Sequence, residues 1–100
     1  MTPRTNKNDK AAKAEREQRA KIFAALSDPT RLQIIELLAT NHEMSGSEIA
    51  DQASISHSLL CHHWKILAEA GVITKRKEGQ TTYSSLNREL LSKYIKSLLY

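Results

Sequence analysis

Ser54-Ile55-Ser56-His57-Ser58-Leu59-Leu60-Cys61-His62-His63-Trp64-Lys65-Ile66-Leu67 is the stretch on which the reading of this 100-residue chain turns. Its spacing predicts a helix from His57 to Ala70. Ser56 can cap that helix, because its hydroxyl accepts a bond from an otherwise orphaned backbone N–H in the first turn. Gly71 can stop it by taking the left-handed conformation that ends many helices. Between the caps, Leu60, Trp64 and Leu67 recur at i, i+4 and i+7 and form one apolar face. Ser58, Cys61, His62 and Lys65 lie on the opposite side. They are small or carry hydrogen-bond donors, which suits a face that slides between base edges and phosphates. An ordinary solvated helix face would have the same composition, so this helix alone leaves both readings open.

The flanking residues narrow the choice. Upstream, Ser45-Gly46-Ser47-Glu48 has the form of a capping box, in which Ser45 and Glu48 satisfy each other's backbone donors. It opens a short helix to about Ala53, with Ile49 and Ala50 facing inward. Ala53-Ser54-Ile55 is a tight connection, and Ile55 can plug the corner between the two helices. Downstream, Val72 to Arg76 and Thr81 to Leu86 are rich in β-favouring residues and predict two strands. Lys77-Glu78-Gly79-Gln80 between them is a turn, with Gly79 free to take positive φ. Lys75, Arg76 and Lys77 then crowd the hairpin tip. A charged edge can serve only to discourage aggregation. The order helix, turn, helix, basic hairpin is more specific than any one piece, and it is the arrangement of a winged helix-turn-helix.

Further out, Met1 to Lys10 is polar, with Arg4, Lys7 and Lys10, and is expected to be a disordered basic tail. The rest, 11–100, reads as one domain of DNA binding and dimerisation. Ala11 to Leu26 is built from good helix formers, with Glu15 and Arg19 at i, i+4 and apolar residues mainly towards its end, at Ile22, Phe23 and Leu26. Ser27-Asp28-Pro29-Thr30-Arg31 is a helix start, with Asp28 as cap and Pro29 at the first helical position. Leu32, Ile34, Ile35, Leu37, Leu38 and Ala39 then give a wide apolar arc, predicting a central, largely buried helix to Thr40. Asn41-His42-Glu43 is a connecting turn. Asn87 caps a last helix whose Leu90-Leu91, Tyr94-Ile95 and Leu98-Leu99 pairs run along one side. That stripe can close the chain's own core or meet its twin across a two-fold axis. The second use is favoured, with Ile22, Phe23, Leu91, Tyr94, Ile95 and Leu98 as the expected dimer contacts. The expected fold is mainly α with a small β-hairpin, in the order α-α-α-α-β-β-α.

Composition sets limits on function. Lysine and arginine number 15 against 11 acidic residues, a net charge of +4 that is compatible with a polyanionic partner. No apolar run approaches the roughly 18 residues of a membrane span. No hydrophobic stretch follows the basic N-terminus, so no secretory signal is read there. A single cysteine cannot form an internal disulfide and points to a reducing, cytoplasmic setting. No nucleophile–base pair, phosphate-cradling glycine loop or carboxylate pair stands out, so catalysis is not expected. A winged helix can also serve protein–protein contact, but that use would favour an apolar outer face.

From about Phe23 to Leu86 the chain resembles the ArsR/SmtB family of winged-helix repressors. The resemblance is carried by Ala25-Leu26-Ser27-Asp28-Pro29-Thr30-Arg31-Leu32, by Ser45 to Ala53 with Ile55-Ser56, and by Leu60-Cys61-His62 through Leu67. Gly71-Val72-Ile73 and Arg76-Lys77-Glu78-Gly79-Gln80 complete it. Cys61 departs from the pattern, standing where the family usually has serine. The resemblance implies a homodimer, paired through its first and last helices, that binds an imperfect inverted repeat in double-stranded DNA and blocks transcription. It does not imply the family's metal sites. One of these needs two cysteines near the third helix, where this chain has Glu43-Met44-Ser45-Gly46-Ser47. Another needs histidines in the last helix, and no histidine follows His63.

The expected DNA-contacting residues are Ser56, His57, Ser58, Cys61, His62 and Lys65 on the helix, with Lys75, Arg76, Lys77 and Gln80 on the wing. No cofactor and no metal are expected. Cys61-His62-His63 invites a metal reading, but neighbours on a helix point about 100° apart and cannot converge on one ion. Cys61 is also a redox candidate, although it lies beyond the first turn and has no resolving thiol within the chain. The residues name no effector.

Overall fold

The structure, a computed structural model, describes residues 7–100, with side chains from Asp9 onward. It contains five helices and three short strands: α1 Lys7–Leu26, α2 Pro29–Thr40, β1 Met44–Ser45, α3 Gly46–Ala53, α4 His57–Glu69, β2 Ile73–Glu78, β3 Thr81–Leu86 and α5 Arg88–Leu99. The expected tail therefore lies largely outside the described residues, and α1 begins at Lys7 instead of Ala11. Good helix formers extend the helix without any packing to hold it, since every side chain from Lys10 to Glu17 is exposed. Arg19, expected to pair with Glu15, reaches α5, where its Nε donates to Ser97 Oγ at 3.3 Å.

Local chemistry sets the helix ends. Asp28 Oδ2 accepts from the Arg31 backbone N–H at 3.0 Å and starts α2, with Pro29 where no N–H is needed. Both halves of the capping box are made: Ser45 Oγ accepts from Glu48 N, and Glu48 Oε1 accepts from Ser45 N. Ser56 Oγ accepts from Leu59 N at 3.1 Å and starts α4. At the other end of α4, Gly71 has φ +80°. Its N–H donates to Ala68 O, and Val72 N donates to Leu67 O. That pair of bonds is a Schellman closure, and it turns the chain straight into the wing.

The core lies where α2, α3 and α4 meet, sealed by the end of α1 and the start of β2. Ile22, Ile34, Leu38, Ile49, Leu60, Leu67 and Val72 are fully buried there. Two expectations about α2 fail. Leu32 is 45% exposed and Ala39 is also exposed, so α2 buries a narrower stripe through Ile34 and Leu38. Ile22 is wholly buried within its own chain, which removes it as a dimer contact. The hairpin is longer than read, with Glu78 opposite Thr81 and only Gly79-Gln80 in the turn. Gly79 has φ +61°, the conformation a two-residue turn asks of glycine at its first position. Strand β1 was not foreseen, because two residues carry no readable period. It pairs antiparallel with β3 and gives a three-stranded sheet in the order β1-β3-β2. Trp64 Nε1 donates to the buried Ser84 Oγ, which ties α4 to the centre of that sheet. No helix of the described residues is long and apolar enough to cross a membrane.

Candidate nucleic-acid interface

Helix α4 divides as its sequence predicts. Leu60, Trp64 and Leu67 are buried, while His57, Ser58, Cys61, His62 and Lys65 are exposed. Ser56 is exposed too, but its hydroxyl oxygen already serves as the cap. Leu59 shares the outer surface at 41% exposure. Position 63 was weighed only as a metal ligand and not as part of the apolar face, yet His63 is only 6% exposed and completes the inward stripe with Leu60, Trp64 and Leu67. The i, i+3, i+4, i+7 spacing of those four positions was the available signal.

A groove of about 450 Å³ opens between the start of α3, the N-terminal half of α4 and the wing. It brings together four of the predicted residues: His57 and Cys61 from α4, Lys75 and Gln80 from the wing. Ser47 at the start of α3 and Thr82 of β3 join them. Ser58, His62, Lys65 and Lys77 are exposed outside it. The groove keeps its form because α3 and α4 approach closely at Gly46. A Cβ there would lie 3.0 Å from the Trp64 indole. Lys75 Nζ sits 4.8 Å from the centre of the same indole, which steers its cation towards the groove.

The wing's charge is less free than its sequence suggests. Arg76 is engaged, its Nη2 and Nε donating to the two Glu43 carboxylate oxygens at 2.8 and 3.1 Å. Its Nη1 donates to Glu78 at 3.0 Å, and its guanidinium lies 4.8 Å from the Tyr83 ring centre. These bonds hold the Glu43 carboxyl below its usual titration range, the Arg76 hydrogen bond being the largest cause. Arg76 is thus a strut between the wing and the loop before β1. Glu43 was read only as part of a turn, and no local pattern could have paired it with a residue 33 positions away. By strand alternation Lys75 and Lys77 project from the other side, and they carry the cations of β2 that are free of a carboxylate partner among the described residues.

The Ser27–Arg31 stretch also acquires a physical role. Arg31 Nε donates to Ala25 O at 2.6 Å, and Arg31 Nη1 donates to His63 Nδ1 at 3.1 Å. The same ring nitrogen is 3.9 Å from Asp28 Oδ2. Burial pushes the His63 pKa down. Asp28 acts against that shift, while Arg31 and His62 add to it. The Asp28 carboxyl is itself held below its usual range, first by the Arg31 backbone N–H. Among the described residues, no three His, Cys, Asp or Glu side chains are grouped to hold a metal ion. Cys61 is a free, exposed thiol.

Comparison with known proteins places these features in a family. A helix-turn-helix domain model matches residues 26–76. The transcriptional repressor SdpR of Bacillus subtilis is 40% identical over 78 residues, covering 78% of this chain and 86% of that protein. An arsenical resistance operon repressor of Staphylococcus xylosus is 36% identical over 70 residues, covering 70% and 66%. Among solved structures, a homodimeric winged helix-turn-helix DNA-binding domain from Mycobacterium bovis, described as a possible ArsR-family regulator, aligns with a TM-score of 0.74. It is 25% identical and covers 99% of this chain and 88% of its own. With its capped helix-turn-helix, basic wing and these relatives, the chain belongs to the ArsR/SmtB family of winged helix-turn-helix transcriptional regulators.

Proposed function

We propose that this protein is a homodimeric repressor that binds an inverted-repeat operator and needs no metal to do so. The exposed face of α4, running through His57, Ser58, Cys61, His62 and Lys65, enters the major groove. Lys75 and Lys77 of the wing meet flanking phosphates, and Gln80 lies beside them at the turn. Ser56 contributes chiefly by capping α4. The single observation that carries this reading is the clean division of α4, with every predicted contact side chain outward and its apolar stripe inward. The repressor role of SdpR and the homodimeric state of the Mycobacterium bovis domain support the rest.

Dimer contacts are assigned to Phe23 of α1 and to Leu91, Tyr94, Ile95 and Leu98 of α5. Ile95 and Leu98 are 44% and 58% exposed, and α5 has no buried residue. An apolar stripe left open in this way is what a two-fold interface would cover. Selection of bound duplexes from a random pool tests the function. It should return an inverted repeat with half-sites about one helical turn apart, unchanged by chelator. Recovery of unrelated sequences, or of the repeat only with added metal, would contradict it.

A further inference from the structure

Two side-chain hydrogen bonds reach the buried side of α4 itself among the described residues, Trp64 to Ser84 and Arg31 to His63, while Gln18 Nε2 of α1 donates at 3.5 Å to Ala70 O, the cap at its far end. The second has a directional constraint. A guanidinium offers donors and no acceptor, so His63 Nδ1 must be the acceptor and the ring must be neutral with its hydrogen on Nε2. A protonated ring would place an N–H on Nδ1, facing an Arg31 N–H at 3.1 Å. The bond cannot survive that encounter, and two cations would then meet across it. The charged groups acting on the ring are Asp28 and Arg31 from the start of α2 and His62 from its own helix. None comes from α1, α3 or β2 among the described residues. Asp28, at 3.9 Å, is the natural new partner for the proton. Arg31 is held meanwhile by Ala25 O in the last turn of α1. The end of α1, Arg31 and the middle of α4 thus form one connected strut.

We infer that the Arg31–His63 hydrogen bond fixes the angle of α4 on the end of α1, and that a proton on His63 Nδ1 releases it, so that DNA binding weakens in mild acid. The inference rests on the proposal that α4 contacts DNA. His63 and Arg31 are positioning residues here, since neither faces the groove. The low exposure of the ring, which already disfavours its charged form, points the same way. His57 and His62 act with the opposite sign. They are exposed on the DNA face, and a proton on either adds positive charge beside phosphates.

That opposition defines the experiment. Operator affinity is measured by fluorescence anisotropy from about pH 8 to about pH 5.5 at fixed ionic strength, in a protein carrying His57→Gln and His62→Gln. With the exposed rings of α4 replaced and His42, before β1, common to every variant, affinity should fall about fivefold or more on acidification. Adding His63→Gln should flatten the profile, because the glutamine carbonyl can accept from Arg31 and does not titrate. A fall that persists in the triple variant would overturn the inference. In parallel, 15N NMR of the unaltered protein should show His63 Nδ1 unprotonated at neutral pH and titrating below the ordinary histidine range. Exchange of α4 amides should rise as it titrates. A hydrogen on Nδ1 at neutral pH would overturn the inference even if the variants do not fold. Absence of operator binding by the unaltered protein at every pH, with the NMR result intact, would overturn the DNA role of α4 and leave the strut standing.

Discussion

The centre of this molecule and its two ends are built to different standards. In the centre, α3, α4 and the sheet satisfy themselves: both capping bonds of α3 are made, the helix end at Gly71 is closed, and the Trp64 indole finds Ser84 in the interior. At the ends, most of α1 has no side chain in the core, and α5 buries none of its residues completely. A finished groove-facing half beside apolar side chains left open on the last helix fits the proposed homodimer.

Substitutions in the two regions should therefore fail differently. The largest effect on stability belongs to the centre. Leu67→Ala should cost about 2–5 kcal/mol in denaturant unfolding, because a fully buried side chain leaves a cavity that its neighbours cannot fill. Leu98→Glu should leave the unfolding of a single chain nearly unchanged and instead shift sedimentation from dimer to monomer. If Leu67→Ala acted mainly on association, or Leu98→Glu mainly on folding, the division would collapse. Next come the free cations. Lys65→Ala, Lys75→Ala and Lys77→Ala should each flatten the salt dependence of operator binding by about one unit of log–log slope. Arg76→Gln should lower affinity by loosening the wing while leaving the slope nearly intact. A slope change as large as that of Lys77→Ala would return Arg76 to the phosphate-contacting set.

Acid provides a finer probe of the centre. The fold prefers neutral His63, so the unfolded chain binds that proton more readily. The stability this ring contributes is present above the ordinary histidine range, near pH 6.5, and is lost as pH falls below it. Thermal scans should show a midpoint that declines through that window in the unaltered protein and less so in His63→Gln. The smallest effect expected is that of Cys61→Ser. The side chain is exposed, so stability should change by less than about 0.5 kcal/mol. Operator binding should hardly move. Marked protection of this variant from peroxide would instead reveal a thiol-based response.

What could be read in advance follows the same divide. Caps and turns are local chemistry, so the starts of α2, α3 and α4 and the stop at Gly71 were legible from single residues. The outward face of α4 was legible because one helical period separates Leu60, Trp64 and Leu67 from Ser58, Cys61, His62 and Lys65. The contacts that escaped join distant positions. Arg76 meets Glu43, His63 meets Arg31, and β1 exists only because β3 passes beside it. Nothing within a dozen residues of either partner announces such a pairing. Ile22 shows the converse limit, since an apolar residue on an amphipathic helix reads alike whether it meets its own core or a partner.

The central claim is that the outer face of α4 lies against DNA, and Cys61, the one cysteine of the chain, reports on it directly. The measurement is the rate of maleimide alkylation of Cys61, with and without saturating operator duplex. Operator should suppress the rate, and high salt, which removes the duplex, should restore it. Alkylation at the same rate in the operator-bound protein as in the free protein would contradict the account.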